Sequence, residues 1–269
     1  MMHKVFFIAD PHGDFKVFRD LYNRNKDLFD EIENITVVIL GDAGFNFFVT
    51  GDRDKYLKEK LKKYPFTYFV IRGNHEWRPT QMIERNPEAW HTEEYFNNTV
   101  YVENDYPYIK YALDEVSVYN IKGYKTLVIP GAYSVDKFYR IARHWTWNEK
   151  EQLSEEERAA GLDLIKENNF KFDIILSHTT DLDCEPIDLF LPSVDQSQVD
   201  KTMEEYLWTI KERCEYKLHM WGHYHALRDY FYNLTEQAPS FEVPRDLMIF
   251  NNYAVELEDC LKNKNIVVY

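Results

Sequence analysis

Five times along this chain a short run of apolar, β-branched or aromatic residues breaks off at polar residues able to bind a metal. Val5 to Ala9 stops on Asp10-Pro11-His12, Val37 to Leu40 on Gly41-Asp42, and Tyr68 to Ile71 on Arg72-Gly73-Asn74-His75-Glu76. Ile174 to Leu176 leads into Ser177-His178, and Leu218 to Trp221 into Gly222-His223-Tyr224-His225. Short, continuously apolar runs of this kind read as buried strands. The pattern therefore predicts one site assembled at five strand ends.

Between the strands the period changes. Phe15, Phe18, Leu21, Tyr22, Leu28 and Phe29 recur at helical spacing behind Asp14, which predicts a capped helix from 14 to about 32, and a charged helix is predicted over 52–63. With strands at 4–9, 36–40 and 66–71, this is βαβ alternation. It implies a sheet at least partly parallel, with its loops at the carboxyl ends of the strands. Residues 84–96 fit helix or strand, whereas 100–102, 108–113 and 116–121 predict short antiparallel strands turning at Asn104-Asp105 and Asp114-Glu115.

A strand at 125–129 ends in the loop Pro130 to Lys137, and Ser154 with Glu157 is a capping-box signature for a helix to about 167. A strand at 172–176, a helix at 200–214 and strands at 218–221, 227–232, 247–251, 254–257 and 266–269 predict an antiparallel-rich C-terminal half. The segment 179–194, with Pro186 and Pro192, reads as a loop or cap over the site. Two halves of strands and helices imply two packed sheets.

Composition narrows the class. At 269 residues and 45% hydrophobic content the chain can bury a large core. One domain over 1–269 is expected, because the site residues span 10 to 225 with no Pro/Gly/Ser-rich linker between them; loops around 131–150 and 179–200 are the candidate cap or substrate region. The net charge of −14 and the lack of a basic block disfavour extended nucleic acid as a partner. An acidic pocket can still bind phosphate once cations reverse its sign. Cys184, Cys214 and Cys260 are odd in number and lie in no C-x-x-C pair, which points to a reduced, cytoplasmic protein. Neither a signal segment nor an apolar stretch of about 20 residues is evident, so no membrane partner is expected.

The chemistry follows from the donors. Asp10 and His12, at i and i+2 on extended backbone, point the same way, and His223 and His225 repeat the spacing. Oxygen and nitrogen donors without thiolates suit Mn²⁺, the expected ion, or Fe, Zn²⁺ or Mg²⁺. Asp10, His12, Asp42, Asn74, His178, His223 and His225 are too many for one ion and suit two, with Asp42 as the best bridge. Two ions about 3.5–4 Å apart would generate a bridging hydroxide, hold phosphoryl oxygens and neutralise charge during in-line attack. His75 is then the candidate acid for the leaving oxygen, with Glu76 to orient it. Alone, a D-x-H or a G-D-x-G is as readily a turn, and a single His is usually structural; the shared order and strand-end positions carry the reading.

In that order, Asp10-x-His12, Gly41-Asp42, Gly73-Asn74-His75-Glu76, His178 and Gly222-His223-x-His225 resemble the calcineurin-like metallophosphoesterases. The resemblance covers most of the chain and implies an α/β fold, a two-sheet β-sandwich flanked by helices. It also implies Asp10, His12, Asp42 and His225 on one metal, Asp42, Asn74, His178 and His223 on the other, and His75 near the leaving group. The loops Ala132 to Lys137 with Tyr139-Arg140, and Asp195-Gln196-Ser197, look similar to uncharacterised bacterial and phage members. There is one departure. Protein Ser/Thr phosphatases of the superfamily carry G-D-x-V-D-R-G, whereas Gly41-Asp42 here runs into Ala43-Gly44-Phe45-Asn46. Their phosphate-gripping Arg is missing, leaving Arg72, Lys137, Arg140 and Arg143 as candidate substrate-binding cations.

The expected activity is hydrolysis of a phosphomonoester or phosphodiester, small molecule or nucleotide. The alternatives are a protein serine/threonine phosphatase, a nuclease and, outside enzymology, a non-catalytic metal-stabilised binding protein. His3, His91, His144 and His219 match no ligand position, and Trp145, Trp147 and nearby aromatics are candidate walls of a nucleobase pocket, although aromatics in a 16% aromatic chain are usually core.

Overall fold

The computed structural model describes residues 2–26, 32–49, 52–230, 244–250 and 253–261. The chain begins with β1 (Met2–Ile8), α1 (Lys16–Arg24), β2 (Ile32–Leu40), α2 (Arg53–Leu61), β3 (Phe66–Ile71) and α3 (Pro79–Arg85). Strands β4 (Trp90–Tyr95), β5 (Asn98–Glu103), β6 (Ile109–Tyr111), β7 (Ser117–Ile121) and β8 (Tyr124–Ile129) follow, then α4 (Lys137–Ala142), α5 (Glu155–Glu167), β9 (Ile174–Ser177) and α6 (Thr202–Lys211). The chain closes with β10 (Leu218–Trp221), β11 (Arg228–Asp229), β12 (Arg245–Met248), β13 (Val255–Glu256) and α7 (Leu257–Leu261).

Two sheets result, ordered β13-β1-β2-β3-β6-β5-β4 and β11-β12-β10-β9-β8-β7. Alternation along each strand decides what meets what. Val5, Phe7, Val38, Leu40, Phe69 and Ile71 of the first sheet pack against Val128, Ile174, Leu176, Leu218 and Met220 of the second. The opposite face of the first sheet (Phe6, Ile8, Val37, Ile39) lies under Phe18 and Leu21 of α1, and that of the second (Leu127, Ile129, Ile175) under Ile165 of α5 and Leu207 and Ile210 of α6. Strands covered on both faces need apolar residues at nearly every position, which is why their sequences lack polar alternation. The expected α/β sandwich flanked by helices is the architecture found. No helix among the described residues is long and apolar enough to cross a membrane.

The structure corrects several expectations. The first helix ends at Arg24 rather than near 32, because Asn25 turns both its backbone N–H (3.3 Å) and its side-chain amide (2.9 Å) onto the Leu21 carbonyl. Residue 32 already belongs to β2, and 27–31, including the Leu28 and Phe29 of the predicted stripe, lie outside the described residues. Of the three predicted antiparallel strands, β5 is antiparallel to β4 and β6, but β6 runs parallel to β3 and β7 crosses to the second sheet to pair with β8.

Among the described residues the C-terminal half is not antiparallel-rich: β9 runs parallel to β8 and β10, and β10 to β12, whereas β11 opposes β12 and β13 opposes β1. Short strands separated by helix-length segments return in the same direction, which strand patterns alone do not encode. Of the predicted strand at 254–257 only Val255–Glu256 forms, and the chain then turns into α7; the strand at 266–269 lies outside the described residues. The Ser154 capping box is present, with the Glu157 N–H on Ser154 Oγ (3.2 Å) and the Ser154 N–H on Glu157 Oε2 (2.7 Å).

Parallel strands in both sheets bring their carboxyl ends to one rim. The loops after β1, β2, β3, β9 and β10 meet there.

Candidate metal centre

The rim loops coil tightly. Asp10, His12, Asp42, His223 and His225 have φ of 53°, 44°, 52°, 69° and 54°, the left-handed region that residues with a Cβ rarely adopt. Such conformations persist where surrounding structure over-determines them, and they cluster at functional sites. The Asp-x-His and His-x-His pairs therefore do not point together from extended backbone, as expected from spacing; both members turn through left-handed residues. The loops after β1 and β2 are tied by His12 N–H to Asp42 O (2.8 Å) and Gly13 N–H to Ala43 O (3.1 Å).

Two glycines let the loops close. A Cβ on Gly73 would lie 2.1 Å from Asp42 Oδ1, and one on Gly222 would lie 2.5 Å from Asp10 Oδ2. Each stands immediately before a site residue and makes room for a carboxylate delivered by another strand.

All seven predicted ligands converge. Asp42 Oδ1 is held by the His75 N–H at 2.9 Å, and its Oδ2 lies 3.7, 3.8 and 3.6 Å from Nε2 of His12, His75 and His178. Both Asp10 oxygens accept from the His223 N–H (3.0 and 2.9 Å), and the rings of His178 and His223 meet at 5.1 Å. Ligand atoms of Asp10, His12 and His225, of Asp10, Asp42 and His178, and of His12, Asp42 and His75 fall within 4.8 Å of one another.

The donor chemistry fits cations. His178 Nδ1 faces the Leu40 carbonyl at 2.8 Å, so it carries a proton, and Nε2 then faces the Asn74 amide oxygen at 2.8 Å. An acceptor facing an acceptor requires positive charge between them, from a proton or a metal. His12 Nε2 and His225 Nε2 lie 3.1 Å apart, where one ring nitrogen donates to the other or both turn to a cation. Burial opposes charge on His178, but Asp42 pushes it up to about 9, while burial and His12 lower His225 to about 4. Burial raises Asp10; it would raise Asp42 too, but His75 and His178 hold that carboxyl well below its usual range.

The remaining predicted residues divide. His75 stacks on Phe47 (6.2 Å) and accepts a hydrogen bond on Nδ1 from Arg140, whose guanidinium also contacts Nε2 at 3.2 Å and is held by Asp136 (2.7 Å). Glu76 does not orient His75: its carboxylate accepts from the Gly44 and Gly73 N–H groups at 3.0 and 3.2 Å and tethers two rim loops. Arg72 is not a substrate cation. It is buried, donates to the carbonyls of Glu151 (2.7 Å) and Gly73 (3.2 Å), and lies 3.6 Å from Asp114. Arg143 packs on Tyr139 at 4.9 Å on the exposed side of α4, and Lys137 lies 4.4 Å over Trp147, so of the four proposed cations only Arg140 touches the site.

Above the predicted ligands opens a cleft of about 410 Å³ whose floor includes Asp42, Asn74, His75, His223 and His225. Its walls come from the two loop regions singled out in the sequence, with Tyr133 and Val135 on one side and Leu189, Phe190, Leu191 and Val199 on the other. The aromatic wall is thus Tyr133, Phe190 and Tyr224, not Trp145 or Trp147. Lys201, on the lining, is paired with Glu185 and lies 4.7 Å over the Phe190 ring.

Sequence reasoning missed Glu151, which is buried against Ser134 and Trp147 and thereby linked to Asn74. No local pattern marks it; only its partners in the folded chain do.

Residues 3–227 match the family model of the calcineurin-like phosphoesterases. No curated protein matches the chain by sequence. Among solved structures, the chain is similar to phosphopantetheinyl hydrolase from Mycobacterium tuberculosis (12% identity, 93% of this chain and 90% of that one, TM-score 0.48). It is also similar to the NAD nucleotidase of Haemophilus influenzae (13% identity, 99% of this chain and 48% of that one, TM-score 0.39) and to a 5'-nucleotidase precursor from Thermus thermophilus (13%, 94% and 50%, TM-score 0.41).

Proposed function

The chain belongs to the calcineurin-like phosphoesterase family of metal-dependent phosphoester hydrolases, and from that premise we propose that it is a dinuclear enzyme cleaving a small phosphomonoester or phosphodiester. The observation that carries the reading is Asp42: one carboxylate oxygen lies between three imidazoles at 3.6–3.8 Å, with Asp10 and Asn74 among the same converging groups. Asp10, His12, Asp42 and His225 would hold one divalent ion, and Asp42, Asn74, His178 and His223 a second, Mn²⁺ being the expected metal. Bound there, the ions supply Lewis acidity toward the phosphoryl oxygens and acidify water.

The chain's own groups do the rest. Arg140, beside His75, is the cation suited to a phosphoryl oxygen, replacing the Arg that the Gly41-Asp42-Ala43-Gly44 loop lacks. The Arg140 guanidinium lies against both ring nitrogens of His75, and the His75 imidazole is the candidate donor to the leaving oxygen. The wall of Leu189, Phe190, Leu191 and Val199 suits the organic part of a small ester.

A test is hydrolysis of p-nitrophenyl phosphate and bis-p-nitrophenyl phosphate by metal-stripped protein with and without Mn²⁺, beside Asp42→Asn. Metal-dependent turnover is expected, falling by about a hundredfold or more in the variant, since loss of the bridge removes about 3 kcal/mol of transition-state stabilisation. Metal uptake without turnover of these or of a nucleotide panel would leave the non-catalytic reading standing. Faster release of phosphate from phosphopeptides than from either ester would favour the protein phosphatase.

A further inference from the structure

Resting on this two-ion reading, we propose that Ser134 and Glu151 are positioning residues: their hydrogen bonds hold the Asn74 side chain with its oxygen toward the metal centre. An asparagine can ligate a metal only through oxygen, yet the two ends of its amide are almost equal in size, so packing cannot choose between them. A hydrogen-bond chain can, because donors and acceptors have a direction.

Every link of that chain has an assigned direction. Glu151 accepts the Ser134 N–H on Oε1 (3.0 Å) and both the Trp147 indole N–H (2.8 Å) and the Ser134 hydroxyl (2.6 Å) on Oε2. Backbone and indole N–H groups only donate, so both carboxylate oxygens are acceptors and the Ser134 proton points at Glu151. The Ser134 oxygen is left to accept, and it accepts from Asn74 Nδ2 at 2.8 Å. The amide is thereby fixed with Oδ1 on the side of His178 Nε2. Ser134, Glu151 and Asn74 are 1%, 2% and 4% exposed, which keeps water from supplying substitute partners. The three residues lie 60 and 17 positions apart and meet only because Ser134 follows β8 into the rim; Arg72, donating to the Glu151 carbonyl, anchors the far end.

Reversing the chain should reverse the amide. In Glu151→Gln the new NH₂ group can donate to Ser134, whose proton then turns to Asn74 and draws Oδ1 away from the metal. In Asn74→Asp there is no NH₂ end, and a Ser134 proton turned toward residue 74 is what an aspartate there needs. The experiment is Mn²⁺ binding by equilibrium dialysis, with the visible absorption of Co²⁺-loaded protein, on wild type, E151Q, N74D and N74D/E151Q. E151Q is expected to weaken one of two ions by about 10–100-fold and alter the Co²⁺ spectrum, as for other residues that orient ligands. The same change made on N74D is expected to cost less than about threefold, a coupling that a purely structural role would not produce.

Two ions bound by E151Q with wild-type affinity, or an equal loss in both backgrounds, overturns the proposal. Should E151Q not fold, S134A serves: it removes one hydroxyl, and unchanged binding of both ions by it overturns the proposal equally. Wild-type protein that binds two ions and turns over an ester keeps the two-ion reading whatever the variants do, whereas wild type that binds none removes both.

Discussion

Glu204 on α6 offers a stability measurement whose size can be worked out in advance. Its Oε1 accepts the Thr179 hydroxyl at 2.7 Å, but its Oε2 is buried with no hydrogen-bond partner among the described residues. Burial pushes the carboxyl up to about 7, only partly opposed by the Thr179 bond. The sign follows: between the unfolded value near 4.5 and the folded value near 7 the folded chain holds the proton more tightly, so stability falls as pH rises through this window and levels off above it. At about 1.4 kcal/mol per pH unit the loss at pH 8 is about 3 kcal/mol, against about 1 kcal/mol at pH 5.

Glutamine cannot ionise. It keeps the acceptor for Thr179 and puts an N–H where a protonated acid has its O–H, so Glu204→Gln should be nearly neutral at pH 4 and stabilising by about 3 kcal/mol at pH 8. For a urea slope of about 3 kcal/mol per molar this moves the unfolding midpoint upward by about 1 M at pH 8 and little at pH 4. Urea titrations of both proteins at the two pH values measure it. A midpoint difference that is the same at both, or that shrinks as pH rises, would refute the argument.

Other consequences are simpler. His75→Ala should lower turnover by about 10²–10⁴-fold while bound metal stays unchanged, measured by steady-state kinetics beside metal analysis; unchanged turnover removes the acid assignment. Gly73→Ala drives a methyl against Asp42, so it should abolish tight binding of both ions in a dialysis assay and cost about 1–3 kcal/mol in a urea titration. Arg72 and Arg140 should separate: Arg72→Ala should lower stability by about 3–5 kcal/mol by leaving Asp114 and buried carbonyls unpaired, with KM unchanged in the protein that folds. Arg140→Ala removes a buried guanidinium bonded to Asp136 and to the Thr146 carbonyl, so it should cost about 1–3 kcal/mol of stability and, unlike Arg72→Ala, lower kcat/KM of the folded protein by about 10–100-fold, the worth of one charge-assisted hydrogen bond.

Those two arginines mark the boundary between what the amino-acid sequence determined and what the tertiary structure decided. A strand, a capped helix or a ligand-bearing loop is written in neighbours a few positions apart, so β3, β10, the Ser154 cap and the five polar strand ends were legible from local pattern. So was the convergence of Asp10, His12, Asp42, Asn74, His178, His223 and His225 on one rim, because parallel strands deliver their carboxyl ends there whatever their order in the sheet. The parallel course of the second sheet, the left-handed turns at Asp10 and His223, the burial of Arg72 and the reach of Arg140 to His75 were not legible. They rest on pairings such as Arg140 with His75, 65 positions apart, and Ser134 with Asn74, 60 apart. Nothing in either partner's neighbourhood encodes such a contact; it exists because two sheets packed face to face leave one rim where those chains can meet.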